Sequence, residues 1–144
     1  MKTKVFVLVP YSVPAGEISA YIHRQLEKHF RNDSDPQRNG RFDYLVGPLE
    51  TLFADEVTES RLPPKTRRTY HGNICEMNRL PFDATAGAIV TADGVWHDLS
   101  DFGWRMMSDS SQANQDAISQ WNIYFRELLS KHPDSWIVAI WAHS

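Results

Sequence analysis

The sequence predicts an α+β domain in which two helices pack on one face of an antiparallel-rich sheet. Three observations support this fold class. Apolar runs typical of buried strands lie near both ends of the chain, at Lys4–Val9 and Trp136–Ala142. Two segments between them have the spacing of amphipathic helices, and the dipeptide Asp93-Gly94 indicates a β-hairpin.

Both predicted helices carry an apolar stripe at helical spacing. The first runs from about Pro14 to Phe30, and proline is well tolerated in a first turn. The second is capped within Ser108–Ser111 and ends at Lys131-His132-Pro133, where cations favour the carbonyl end. Its stripe consists of Ala117, Ile118, Trp121, Phe125, Leu128 and Leu129.

The remaining strands follow from alternation and from turn residues. Arg41–Val46 alternates between polar and apolar residues and is predicted to be a strand. Ala88–Leu99 is predicted to be a hairpin closed by a two-residue type I′ turn at Asp93-Gly94, because Gly and Asp tolerate positive φ. That register pairs Ala92 with Val95, Thr91 with Trp96, Val90 with His97 and Ile89 with Asp98. It also directs Trp96 and His97 to opposite sides of the sheet.

The resulting order resembles the β-α-β-β-β-α-β order of ferredoxin-like folds. The 144 residues fit a single domain spanning residues 1–144. Residues 61–87 contain three prolines and show no sustained period, so we expect an irregular insertion there.

Composition excludes several classes of protein. The formal charge of −3 argues against a domain that grips nucleic acid through its phosphates. The single cysteine, Cys75, rules out an intrachain disulfide and favours a reducing compartment. The apolar run Val5–Val9 is too short for a signal peptide, and no stretch approaches transmembrane length. We therefore expect a cytoplasmic protein without a membrane partner, and homo-oligomer formation stays open.

Histidines and carboxylates supply the candidate catalytic groups. His97, Asp98 and Asp101 follow a predicted strand, where an imidazole beside carboxylates can act as a general base or share a metal. The alternative is that the aspartates only cap and turn the chain. His143 follows the closing strand, and a metal site on His97, Asp101 and His143 would require the two strands to meet. The residues themselves identify no metal ligand set and no cofactor.

Four further positions, and two tryptophans, are candidate ligand-binding residues. Asp43 is a carboxylate within a strand, where it needs exposure or a partner, and Tyr44 beside it is either a ligand contact or a core aromatic. Arg67 and Arg68 lie in the predicted insertion, where cations suit a phosphate-bearing ligand or are simply solvated. Trp96 and Trp104 complete the candidate set.

The segments FDYLVG, TADGVWHDLSDFGW and KHPDSWIVAIWAHS resemble a family of small phage and bacterial proteins with no assigned activity. The resemblance covers Phe42 to the end of the chain. It departs at Pro48, where the family has glycine followed by arginine, and at Trp141, where it has aspartate. The matching positions are Phe42, Asp43, Tyr44, Gly47, Asp93, Gly94, Trp96, His97, Gly103, Trp104 and His143.

Two functions are compatible with these residues. In the first, His97 and His143 meet at a shared pocket and bind or cleave a nucleotide or another phosphate-bearing small molecule, with Arg67 or Arg68 closing over it. Phage carriage, which the resemblance implies, suits a counter-defence role against an immune nucleotide signal. In the second, the protein has no chemistry and inhibits a bacterial defence enzyme by binding it through exposed tryptophans and the long insertion of residues 61–87.

Overall fold

The computed structural model of the protein describes residues 1–31, 40–53, 62–70, 72–104 and 108–144, and its α+β class agrees with the sequence prediction. The strands and helices in these ranges, in chain order, are β1 (Lys2–Pro10), α1 (Ile18–Glu27), β2 (Tyr44–Val46), α2 (Pro64–Thr69), β3 (Ile74–Glu76), β4 (Ala88–Val90), β5 (Trp96–Asp98), α3 (Gln112–Ser130) and β6 (Ser135–His143). The 3-10 helices are Ala15–Glu17, Met77–Arg79 and Leu99–Phe102.

The sheet has the strand order β2-β6-β1-β4-β5, and β3 also pairs with β6. The two apolar strands predicted at the chain ends are its centre, and they pair antiparallel from Lys2↔His143 to Pro10↔Ser135. β4 runs parallel to β1, whereas the other pairings are antiparallel. The sheet is therefore mostly antiparallel, but it does not have the predicted ferredoxin-like order.

The helices lie against opposite faces of the sheet, which corrects the prediction of one shared face. Phe6, Ile89 and His97 are register neighbours and so share a face. Phe6 contacts Phe125 of α3, with ring centroids 5.8 Å apart. Trp96 points to the other face and contacts His29, which follows α1, at 5.4 Å. Val5–Val9 is fully buried, and a strand buried on both faces requires a cover on each.

The β4–β5 hairpin forms with a register one residue away from the predicted one. Val90 pairs with Trp96, and Ile89 pairs with His97. The loop has three residues, since the Thr91 amide donates to the Val95 carbonyl at 3.1 Å, and Gly94 alone takes the left-handed conformation, with φ of 81°. The prediction of a two-residue turn was wrong, but Trp96 and His97 do point to opposite faces.

The segment predicted as an irregular insertion, residues 61–87, contains α2 and β3. Asn73, just before β3, binds the segment of residues 50–52. Its side chain accepts from the Leu52 amide at 2.8 Å and donates to the Glu50 carbonyl at 3.1 Å. Both elements are too short to produce a periodic pattern in the sequence. Residues 61 and 71 lie outside the described part of the chain.

Candidate functional site

A cavity of about 440 Å³ opens where β1 begins and β6 ends. This volume falls within the range of roughly 300–1,000 Å³ that is usual for small-molecule sites. Thr3 and Ala142, which are register partners in the central strands, contribute to its wall. Among the described residues that line the wall, those with a charged side chain or an indole ring are Lys2, Lys4, Arg41, Trp96, Asp98 and Trp104.

Asp98 holds one wall of this cavity in place. Its Oδ2 accepts from Trp96 Nε1 at 2.9 Å and from Arg41 Nη1 at 3.2 Å. Its Oδ1 accepts from the Ser100 amide at 2.9 Å and from the Ser100 hydroxyl. The indole and the guanidinium are thereby fixed to one carboxylate, which orients both of them.

Asp101 completes a capping box around the short helix Leu99–Phe102. Its Oδ2 accepts from the Asp98 amide at 2.9 Å, while its Oδ1 lies 3.5 Å from Arg41 Nη1. The structure thus gives Asp98 and Asp101 the capping role that was the sequence-based alternative to catalysis. Neither carboxylate contacts a ring nitrogen of His97 among the described hydrogen bonds.

Hydrogen-bond partners flank His97 on both ring nitrogens. Its Nδ1 lies 2.9 Å from the Tyr124 hydroxyl of α3, and its Nε2 lies 3.4 Å from Thr91 Oγ1. The Thr91 hydroxyl in turn donates to Asp93. Burial lowers the pKa of His97, and the nearby carboxylates of Asp93 and Asp101 oppose this only in part. A neutral imidazole can make both hydrogen bonds, because one ring nitrogen donates and the other accepts. His97 therefore acts as a structural link between β5 and α3.

The structure does not bring His97 and His143 together, so the predicted shared pocket is wrong. β1 and β4 lie between β5 and β6. Three strand spacings of about 4.8 Å, roughly 14 Å in total, therefore separate the two strand axes. Among the described residues, no group of three or more histidine, cysteine, aspartate or glutamate side chains is arranged to hold a metal ion.

Asp43, Tyr44 and His143, by contrast, form one cluster. His143 Nδ1 lies 2.8 Å from Asp43 Oδ1, and the Tyr44 ring stacks on the imidazole with centroids 4.4 Å apart. Arg31 Nη2 lies 3.3 Å from the other carboxylate oxygen of Asp43. The hydrogen bond from His143 is the main reason that the pKa of Asp43 is lowered. We call these four residues the Asp43–His143 cluster.

Arg68, one of the two arginines predicted to bind a ligand, does not lie at the cavity. Arg68 is an exposed residue of α2, and the Tyr70 hydroxyl just after this helix lies 2.8 Å from Ser19 Oγ in α1. The described part of α2 contributes no side chain to the cavity wall. The side chain of Arg67 lies outside the described residues. Among the described residues of the wall, the cations are Lys2, Lys4 and Arg41, which no local motif distinguishes in the sequence.

Lowering the pH is expected to destabilise the fold through His97. The folded chain holds this imidazole neutral, whereas the unfolded chain protonates it near the ordinary pKa of 6.5. The stability contributed by the neutral ring is therefore present above pH 6.5 and is lost as the pH falls through the lowered pKa of the folded state. Urea unfolding at about pH 7.5 and about pH 5.5 should show a smaller pH-dependent loss in His97→Gln than in the original chain.

His23→Gln is the matched control, since His23 is an exposed residue of α1. This variant should keep the full pH-dependent loss. His29, whose pKa burial also lowers, will supply the part of the loss that remains in His97→Gln. An equal pH-dependent loss in His97→Gln and in the original chain would contradict the assignment.

None of the helices in the described part of the chain combines the length and the apolar composition that a membrane span requires. No protein-family model, no curated protein and no solved structure matches this chain.

Proposed function

We propose that the protein binds a small anionic molecule that carries an aromatic ring, such as a nucleotide, in the cavity between β1, β5 and β6. One observation carries this proposal: cations and an accessible indole line the same cavity of about 440 Å³. Ligand sites commonly combine an apolar wall with a few polar groups that orient the ligand.

The charge of the cavity wall favours an anion. Lys2, Lys4 and Arg41 line the cavity, whereas Asp98 is the one carboxylate side chain among the described residues of its wall. Asp98 accepts one hydrogen bond from Arg41, and a guanidinium has five N–H donors. Arg41 can therefore remain on Asp98 and still donate to a phosphate. Lys4 is paired with Glu50 at 2.9 Å, so Lys2 and Arg41 are the cations that we assign to the ligand.

Trp104 supplies the ring face for the ligand. Trp96 is 6% exposed, and its own neighbours are Phe42, which stacks on it at 6.0 Å, and His29. Trp104 is only partly buried and lies in the same cavity wall. Stacking of a base on an accessible aromatic ring stabilises binding by about 1–3 kcal/mol.

The proposed activity is binding without cleavage by paired histidines, because His97 and His143 lie on strands that β1 and β4 separate. Such a protein could act in counter-defence by sequestering a nucleotide signal of a bacterial host. Cyclic dinucleotides therefore belong beside mononucleotides among the ligands to be tested.

Binding is tested by calorimetric titration with adenosine monophosphate and with a cyclic dinucleotide. We expect saturable binding of at least one of them, and we expect Lys2→Gln with Arg41→Gln, or Trp104→Leu alone, to weaken it by about tenfold or more. Arg24→Gln is the matched control, since Arg24 is exposed on α1. Absence of binding by the original chain, or an equal loss in the Arg24 variant, would refute the proposal.

A second candidate function is binding of another protein through the edge strand β2. Large apolar side chains are exposed on β2 and just after it: Tyr44 by 51%, Leu45 by 44% and, beyond the strand, Leu49 by 53%. Exposed apolar groups at an edge strand favour protein contact. On this alternative, Leu45→Glu abolishes association with a host protein and leaves nucleotide binding unchanged. Nucleotide binding that depends on Trp104 would favour the cavity instead.

A further inference from the structure

The Asp43–His143 cluster has the geometry of a general base, although it stands apart from the cavity. His143 donates Nδ1–H to Asp43 Oδ1 across 2.8 Å, so the neutral imidazole keeps its lone pair on Nε2. A carboxylate that orients the imidazole in this way selects the tautomer that can accept a proton. His97 lacks this capacity because partners lie at both of its ring nitrogens.

Backbone pairing holds the two residues firmly. The Asp43 amide donates to the His143 carbonyl at 2.9 Å, and Tyr44 and His143 are register partners of β2 and β6. The Tyr44 ring lies nearly parallel to the imidazole, at 11°. The side chain of His143 nonetheless keeps 30% of its surface exposed. The imidazole is therefore both oriented and accessible to a substrate, as a catalytic base must be.

Two cations beside the Asp43–His143 pair indicate the charge of the substrate. Lys2 is the register partner of His143 on β1, so their side chains emerge side by side, with Cβ atoms about 5 Å apart. Arg31 lies against Asp43 from the other side, at 3.3 Å. A base between a lysine and an arginine suits an ester whose transition state gains negative charge on phosphate oxygens.

We propose that Asp43 and His143 form a catalytic centre that hydrolyses a small phosphate ester. His143 Nε2 takes a proton from water while the water oxygen bonds to phosphorus. The P–O bond to the leaving group breaks, the leaving group departs with the electron pair, and the imidazolium releases its proton to solvent. Lys2 and Arg31 offset the charge on the phosphate oxygens. Lys2 belongs to both proposed sites, but the catalytic proposal does not rest on ligand binding in the cavity, since Asp43, His143 and Arg31 do not line it.

The experiment follows p-nitrophenolate release from bis(p-nitrophenyl) phosphate. This leaving group departs as an anion and needs no general acid. We expect release above the buffer rate by the original chain and a loss of about 100-fold or more in His143→Ala, the usual contribution of a general base. Asp43→Asn should lose a comparable amount, because an amide N–H facing Nδ1 places the proton on Nε2.

Two comparisons separate catalysis from a structural role. His23→Ala, an exposed histidine of α1, should keep full activity. Added imidazole should restore part of the activity of His143→Ala, which a purely structural loss would not allow. If His143→Ala does not fold, His143→Gln, which keeps a polar side chain of similar length but has no imidazole, should lose activity to the same extent.

Three results would overturn the proposal. The first is phosphate-ester hydrolysis no faster than in buffer. The second is an equal loss in His23→Ala. The third is a larger rate enhancement over buffer for the neutral ester p-nitrophenyl acetate, with the same dependence on His143, which would indicate an accessible imidazole without selectivity for phosphate. Cavity binding could still be observed in each case, so the two proposals fail independently.

Discussion

Replacing Phe125 by alanine is expected to lower the free energy of unfolding by about 3–5 kcal/mol. Phe125 is 1% exposed and lies in α3, where its ring contacts Phe6 of β1 and Trp121, each with centroids 5.8 Å apart. The large cost arises because removal of the ring leaves a cavity between α3 and the buried part of β1, in addition to the lost transfer free energy. Urea unfolding followed by circular dichroism measures the loss.

Ile123→Ala is the matched control on the same helix. Ile123 is 65% exposed, so its truncation should change stability by no more than about 0.5 kcal/mol. A loss below about 1 kcal/mol in Phe125→Ala, or equal losses in the two variants, would contradict the packing of α3 on the Phe6 face.

Asp98→Ala is expected to cost about 3 kcal/mol and to disorder the cavity wall. The substitution removes the cap of the helix Leu99–Phe102, usually worth about 0.5–2 kcal/mol. It also leaves the Trp96 indole N–H without its acceptor, at a cost of about 1–3 kcal/mol for a buried donor. The ion pair with Arg41 is lost at the same time. Unfolding in urea gives the stability, and calorimetric titration gives the accompanying loss of affinity.

Two further variants serve as comparisons for Asp98→Ala: the conservative replacement Asp98→Asn and the control Asp83→Ala. The amide oxygen of asparagine can still accept from the Ser100 amide, but its NH2 group cannot accept from the Trp96 indole. Asp98→Asn should therefore keep the helix cap and lose about 1–3 kcal/mol. Asp83 is exposed, and its replacement by alanine should be nearly neutral. If Asp98→Ala were as stable as Asp83→Ala, Asp98 would not be the group that holds the wall.

The sequence predicted the elements whose patterns are local. The central strands, the helix α3 with its cap at Ser111, and the hairpin each follow from residues within a few positions of one another. Where the prediction failed, either distant residues decide the outcome or the local signal is ambiguous. The face on which each helix packs depends on which residues cover β1. The hairpin register is ambiguous because Asp93-Gly94 is compatible with a two-residue turn and also with the three-residue loop that the Thr91–Val95 hydrogen bond closes.

In the candidate sites, too, contacts between sequence neighbours could be predicted and contacts between distant residues could not. The capping role of Asp98 and Asp101 was recognisable from the sequence, because it involves neighbours along the chain. Asp43 and His143 were each identified, but their meeting depends on a pairing between residues 100 positions apart. Lys2 and Arg41 carry no local signal at all. They come to line one cavity only because the fold brings residues of β1, β5 and β6 together there.

The most direct test of the proposed cavity site is a titration of the ¹⁵N-labelled protein with adenosine monophosphate, followed through the indole N–H resonances. Of the five tryptophans, Trp96 and Trp104 line the cavity, whereas Trp121 lies on α3 and Trp136 and Trp141 are buried in β6. We predict saturable shifts of the Trp96 and Trp104 resonances, with the other three nearly unchanged. Shifts confined to Trp121, Trp136 or Trp141, or no shift of any indole at saturating nucleotide, would contradict the account.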